Sequence, residues 1–115
     1  MKILKEMGRK NKIALAVSAV LTAAPYVVCL LALDRFPDPV PTHWNAAGAA
    51  DAWDSKYAFF GAGLAVFVLC DVLFHLGAAD YERKKKIGKM AGFAFRIVAP
   101  VFSNLGILLL VLKIF

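Results

Sequence analysis

Six side chains with charged, hydrogen-bonding or aromatic groups lie in one polar stretch of the chain, residues 34–56. They are His43, Trp44, Asn45, Asp51, Trp53 and Lys56. An imidazole, an amide, a carboxylate, an ammonium group and two indoles can together bind a peptide or another polar ligand through hydrogen bonds and aromatic contacts. We therefore predict that these six residues form a ligand-binding surface.

Three of these side chains offer a second chemistry, because His43, Asn45 and Asp51 carry nitrogen and oxygen donors that suit zinc or a hard cation. Alternatively, His43 and Asn45 hydrogen-bond the local backbone and hold a turn. We favour the turn, since the stretch has a single histidine and no cysteine, and we predict no cofactor. We also expect Asp51 to pair with Lys56, which contributes at most about 1 kcal/mol at an exposed site.

A second group of polar side chains lies inside two apolar stretches. Asp71 and His75 interrupt residues 57–79, and Arg96 interrupts residues 90–112. If these stretches are antiparallel helices, Asp71 and Arg96 differ in depth by roughly 3 Å and can form an ion pair with His75 alongside. We expect this pair to be a structural clamp. The first alternative is that the three residues bind a proton or a ligand, which would give them a function beyond structure. A metal site is the least favoured interpretation, because the arginine would repel the cation.

Three apolar blocks must position these groups. Residues 13–33 are free of Asp, Glu, Lys, Arg and His, and residues 57–79 and 90–112 contain only the three such residues already named. At a rise of 1.5 Å per residue, a helix formed by each block spans a hydrocarbon core of about 30 Å. The sequence therefore predicts an all-α protein with three transmembrane helices, in which residues 1–115 form a single membrane domain.

The composition agrees with a bilayer environment. Hydrophobic residues make up 61% of the 115 residues and charged residues only 19%, against about 45–50% and 25% in soluble domains. We predict that the protein is not an enzyme, because we find no nucleophile–base pair and no complete set of metal ligands. The first block is longer than the core of a signal peptide and lacks a cleavage site after Leu33, which favours a retained helix. Cys29 and Cys70 lie within the blocks and are expected to be free thiols.

The distribution of basic residues predicts the orientation. Five Lys and Arg residues precede the first block and five more lie in residues 80–89, whereas residues 34–56 carry two against four aspartates. Because Lys and Arg collect on the cytoplasmic side, we place the N-terminus and residues 80–89 inside a bacterial cytoplasmic membrane. Residues 34–56 and the C-terminus then lie outside. The basic residues on the cytoplasmic side account for the net charge of +6. We therefore expect the basic loop, residues 80–89, to contact anionic lipid, and we expect no binding to nucleic acid.

The outer loop, residues 34–56, is expected to be ordered rather than a slack connection. Three alternating prolines between residues 37 and 41 favour an extended chain. Residues 45–48 have turn chemistry, with a glycine at the end. Trp44 and Trp53 have the amphipathic rings that settle at a membrane interface.

The outer loop carries a specific motif, Phe36-Pro37, Pro41-x-His43-Trp44-Asn45, Gly48, Asp51, Trp53, Ser55 and Lys56. This motif resembles the signature of a known family, the domain of unknown function 1648, which lies between a first and a second transmembrane helix. The resemblance covers residues 13–79, and Asp54 and Ala49 depart from the family's usual glycine and acidic residue. This family forms the N-terminal part of SdpI-type proteins, which are bacterial immunity factors against the cell's own secreted toxic peptide, and whose longer members have further membrane segments.

Two functions follow as hypotheses. The resemblance implies an immunity or resistance factor whose outer loop binds a toxic peptide or antibiotic at the membrane surface. The alternative is an accessory or structural subunit that binds a larger membrane transporter or redox complex through its helices. Small residues also favour close helix packing, within the chain or in a homo-oligomer; they are Ala14, Ser18 and Thr22 in the first helix and Gly61 and Ala65 in the second.

Overall fold

Three long helices make up most of the computed structural model, which describes residue 5 and residues 7–115. Two charged residues of the N-terminal tail, Lys2 and Glu6, on which the predicted orientation partly depends, lie outside the described residues. Each helix is long and apolar enough to cross a membrane, so the prediction of three apolar spans is confirmed. The helices are α1 (Arg9–Leu31), α2 (Lys56–Arg83) and α3 (Lys89–Ile114).

The helices extend beyond the apolar blocks, because hydropathy marks only the residues suited to hydrocarbon whereas helical hydrogen bonding continues into polar sequence. The predicted basic loop is consequently too long. Residues 80–83 continue α2 and Lys89 begins α3, which leaves residues 84–88 as the connecting turn. Lys85 has a φ of 59° there, and the backbone amides of the turn donate to the last carbonyls of α2, as in a left-handed helix end.

The hairpin segment, which we define as residues 32–55, departs from the all-α prediction. A short 3-10 helix over Leu33–Arg35 leads into strand β1 (Val40–Trp44), which pairs antiparallel with β2 (Ala50–Asp54). The fold is therefore mostly helical with a two-stranded sheet. The ladder is irregular next to Pro41, which has no amide proton to contribute to it.

An aromatic core joins the hairpin segment to the helix ends. Val40 of β1 and Phe60 of α2 are completely buried. The ring of Phe36 lies 4.8 Å from that of Phe60 and 5.4 Å from that of Phe115, in edge-on geometry. Aromatic pairs of this kind add about 0.5–1.5 kcal/mol each beyond the area that they bury, so this core fixes the sheet against α2 and the end of α3.

Small and polar residues hold the three helices close together further along the bundle. Gly63 lies against the ring of Tyr26, where any side chain on residue 63 would overlap the ring. The Ser103 hydroxyl donates to the backbone carbonyl of Thr22 at 2.7 Å. Ser18 and Thr22 are both buried between the helices. These two residues of the predicted small-residue face of α1 therefore pack within one chain.

Candidate functional site

The turn of the hairpin segment is built by Asn45. Its Oδ1 atom accepts the backbone N–H groups of Ala47 and Ala49, each at 3.0 Å. Gly48 has a φ of 82° and donates its amide to the Asn45 carbonyl at 3.0 Å; this conformation suits a residue without a Cβ atom. The turn predicted from the sequence is therefore present, and the side-chain oxygen of Asn45 accepts two of its backbone amides.

His43 and Asp51 form a pair across the two strands. The Nδ1 atom of His43 lies 2.6 Å from the Oδ1 atom of Asp51, and their side chains are 69% and 42% exposed. Among the residues that the structure describes, no three His, Cys, Asp or Glu side chains group together as metal ligands. The pair therefore presents an imidazole and a carboxylate to the exterior as hydrogen-bonding and charged groups.

The two tryptophans of the predicted binding surface have different environments. Trp44 is partly buried and packs against the aromatic core, with the Lys113 ammonium group 5.7 Å from its ring centre. Trp53 is 54% exposed and lies on β2, whose residues from Asp51 onward are exposed. Trp44 is thus an anchor of the hairpin segment, and Trp53 is the indole available for contact with another molecule.

Lys56 fastens the base of the hairpin segment. Its ammonium group donates to the carbonyls of Leu33 at 2.8 Å and Phe36 at 3.3 Å, and its backbone amide donates to the Asp38 carboxylate at 3.3 Å. Carbonyls just past a helix end lack helical donors, which explains why a lysine side chain binds there. The predicted pair between Asp51 and Lys56 is therefore wrong, since Asp51 pairs with an imidazole instead.

Three of the six predicted surface residues, His43, Asp51 and Trp53, remain on one strand pair with exposed side chains, and we call them the exposed hairpin face. The other three build the turn, the anchor and the base. The face combines an ion-pairing group, a hydrogen-bonding ring and an apolar ring on a support fixed at both ends. Such a combination can bind an amphipathic ligand without first ordering a loop.

A buried polar cluster lies between the helices and consists of Ser18, Thr22, Asp71 and His75. The Ser18 hydroxyl donates to Oδ1 of Asp71 at 2.8 Å. The Nε2 atom of His75 lies 3.4 Å from the same oxygen. Asp71 is 0% exposed and His75 is 2% exposed, so the predicted proximity of this aspartate and histidine is confirmed.

Arg96 does not pair with Asp71, and this prediction is wrong. The Arg96 guanidinium lies 2.5 Å from a carboxylate oxygen of Glu82 and donates to the Asn11 side chain at 3.1 Å. The guanidinium thus bonds residues near the polar ends of α1 and α2, as arginines in apolar helices commonly do. Gly92 makes room for the Glu82 carboxylate, because a Cβ atom at residue 92 would overlap it.

Several polar atoms of the buried polar cluster have no hydrogen-bond partner among the described residues. They are Oγ1 of Thr22, Oδ2 of Asp71 and both ring nitrogens of His75. Each such buried atom destabilises a protein by about 1–3 kcal/mol unless something binds it. The cluster therefore has unused capacity to form hydrogen bonds.

The arrangement defines a class of protein, a small multi-pass membrane protein with three apolar helices and a short sheet between the first two. Residues 20–67 match the sequence model of a family described as Domain of unknown function (DUF1648), which confirms the family resemblance. No curated protein and no solved structure matches the chain. The match includes the whole hairpin segment and ends before Asp71, so the exposed hairpin face belongs to the family's region and the Asp71–His75 pair lies beyond it.

Proposed function

We propose that this chain is a membrane-bound immunity or resistance protein whose exposed hairpin face binds a toxic, membrane-active peptide. The observation that supports this proposal is that the polar and aromatic residues of the hairpin segment fall into two groups, one that holds the segment in place and one that is exposed. Asn45, Trp44 and Lys56 bond or pack against the protein itself, whereas His43, Asp51 and Trp53 remain exposed. A loop that only connects two helices does not require an exposed histidine, aspartate and tryptophan held on an ordered strand pair.

A cationic amphipathic peptide fits the chemistry of this face. Residues 34–56 carry four aspartates against one arginine and one lysine, and the lysine ammonium group is occupied by two backbone carbonyls. Peptides that lie in the membrane interface carry Lys and Arg on one face and apolar side chains on the other. Asp51 would attract the basic groups, and the Trp53 indole would contact either a cation or an apolar side chain.

The proposal requires the hairpin segment to face outward across a bacterial cytoplasmic membrane, with the N-terminus inside and the C-terminus outside. The basic turn of residues 84–88 supports this orientation, because its lysines are exposed and suited to anionic lipid. The distribution of charge along the chain, with the acidic segment and the basic turn on opposite ends of α2, is consistent with the same orientation.

Single cysteines test the orientation. In a chain with Cys29→Ala and Cys70→Ala, we expect Ala47→Cys to react with an impermeant thiol reagent in intact cells. Lys86→Cys should react only after the cells are opened. Residues 47 and 86 are both exposed, so a difference in labelling reports sidedness rather than burial. Labelling of residue 86 in intact cells would contradict the proposed orientation.

Alanine substitutions separate binding from folding. We expect the double variant His43→Ala, Trp53→Ala to fold in normal yield and to lose protection against the peptide, because only exposed groups are removed. Aromatic contacts at the centre of an interface contribute on the order of 2 kcal/mol, or about 30-fold in affinity. Trp44→Ala should instead lower the folded yield, since this ring packs against the core. Folded yield by size-exclusion chromatography and peptide affinity are measured together.

The matched control is Phe93→Ala, which removes an aromatic ring that is also exposed but lies on α3. It should leave both folding and protection unchanged. A folded His43→Ala, Trp53→Ala protein that still protects the cell would contradict the proposal. If that variant also keeps a co-purifying transporter or redox complex, binding runs through the helices, as the accessory-subunit alternative predicts.

A further inference from the structure

We propose that Asp71 and His75 form a binding site for one exchangeable proton within the helix bundle. This inference is independent of peptide binding by the exposed hairpin face. The proton would be carried either by the Asp71 carboxylate or by Nε2 of His75, which lies 3.4 Å from Oδ1 of Asp71, beyond the usual hydrogen-bond distance. It moves between a carboxylate oxygen and a ring nitrogen without any change in other bonds.

The first support is the balance of charge at the site. Asp71 is wholly buried in an apolar helix, and an uncompensated charge there is strongly unfavourable. A carboxylate and an imidazole become neutral together when they hold one proton between them. That proton makes either a carboxylic acid beside a neutral ring or a carboxylate beside a cationic ring, and both forms belong to one coupled pair.

The second support is that, among the described residues, the elements packed around the pair place no other cation against Asp71. Helix α1 contributes the uncharged hydroxyls of Ser18 and Thr22, and also Lys10, which lines the same groove as His75 but lies about two turns before Ser18 along the helix. Helix α3 contributes Arg96, whose guanidinium binds Glu82 and Asn11. Within the described residues, Asp71 therefore has only the neighbouring histidine as a close source of positive charge.

The third support is the set of unused polar atoms. The second oxygen of Asp71 and both ring nitrogens of His75 are buried without a hydrogen-bond partner in the described part of the chain. Pro100 lacks the amide that would bind the Arg96 carbonyl in a regular helix, and the Arg96 backbone lies beside the His75 ring. The ring nitrogens and the second Asp71 oxygen are therefore not committed to other hydrogen bonds among the described residues.

A groove between α1 and α3 borders the site, and most of its lining residues are apolar. It has a volume of about 500 Å³, and both Ser18 and His75 line it. Lys10 and Arg96 also line it, and Lys10 belongs to the first turn of α1, next to the polar end of the bundle. Of the pair, His75 lines the groove and Asp71 does not, so proton exchange through the groove would involve the imidazole first.

Proton binding predicts how stability depends on pH. In the unfolded chain a free histidine is largely unprotonated above about pH 6.5 and an aspartate above about pH 4. Under the proposal the folded pair keeps one proton at neutral pH, and the folded state would then bind more protons than the unfolded state there. By linkage, the ratio of folded to unfolded protein falls by up to about 10-fold per pH unit as the pH rises above 6.5.

Thermal unfolding in mild detergent tests this dependence. All variants carry His43→Gln, because the chain has only two histidines and His43 would add its own titration. We expect the unfolding temperature of the reference protein to fall between about pH 6.5 and 8.5. Asp71→Asn, which resembles the protonated acid, should remove most of this fall. Asp54→Asn removes an exposed aspartate and should behave as the reference does; a fall unchanged by Asp71→Asn would overturn the proposal.

Direct detection of the proton needs no substitution in the cluster. In the His43→Gln protein, the one remaining histidine gives a single imidazole signal by nitrogen NMR, and infrared spectroscopy reports a protonated buried carboxyl group. At pH 7 we expect one proton in total on the pair. Finding both groups unprotonated would overturn the proposal, as would release of the proton on addition of sodium ions, which would instead assign a metal-cation site.

Discussion

Glu82→Ala should be among the most destabilising single substitutions in the chain, because it leaves the Arg96 guanidinium without its carboxylate. The two side chains are 25% and 14% exposed, and breaking a largely buried ion pair destabilises a protein by about 3–5 kcal/mol. Arg96→Ala should also be destabilising. The double variant should recover part of the loss, with a coupling of about 1–3 kcal/mol, since it leaves no unpaired charge. Unfolding of the four proteins in mild detergent measures the coupling.

A neighbouring aspartate provides the matched cycle. Asp80 lies two residues before Glu82 and pairs with Arg83 and Lys84 at the helix end. Asp80→Ala and Arg96→Ala should therefore add independently. If the stability losses of Glu82→Ala and Arg96→Ala were also additive in the double variant, the ion pair would not stabilise the packing of α2 against α3.

Phe60→Ala should have a comparable effect through a different cause. The Phe60 side chain is fully buried beneath the hairpin segment, and removing a buried phenylalanine ring destabilises a protein by about 3–5 kcal/mol. The Phe36 ring would lose its edge-on partner, and the sheet would lose its attachment to α2. We expect a lower unfolding temperature together with faster proteolysis within residues 32–55.

Phe102→Ala is the control, because it removes the same ring from a position on α3 that is 60% exposed. It should change the unfolding temperature little and leave proteolysis of the hairpin segment unchanged. Similar losses for Phe60 and Phe102 would contradict a core located at the hairpin end of the bundle.

The sequence predicted the three spans well because hydrocarbon imposes a long, uninterrupted apolar run on any helix that crosses it. It did not reveal the sheet. The strands are short, β1 contains Pro41, and β2 has the largely polar or small sequence Ala50–Asp54. Their pairing depends on the turn at Asn45 and on packing against helix ends that lie far away in the sequence.

The candidate sites were predicted in part for similar reasons. The turn role of Asn45 follows from local chemistry, and the proximity of Asp71 and His75 follows from helical spacing. Trp44 and Trp53 could not be distinguished, because only the register of the two strands places one ring on the core. The partner of Arg96 was missed because Glu82 was assigned to a loop, whereas α2 continues through it.

The Lys56 side chain has a mechanical consequence. Its ammonium group donates hydrogen bonds to the chain just beyond α1, and its own backbone begins α2, so this one side chain links the two helix ends directly. We expect a displacement of the strand pair, for example on ligand binding, to change the tilt of both helices, because the link between them is short. A change in the tilt of α1 relative to α2 would lengthen the hydrogen bond between Ser18 and Asp71. Ligand binding at the hairpin segment and the polar cluster in the middle of the bundle would then be coupled through the same helix movement.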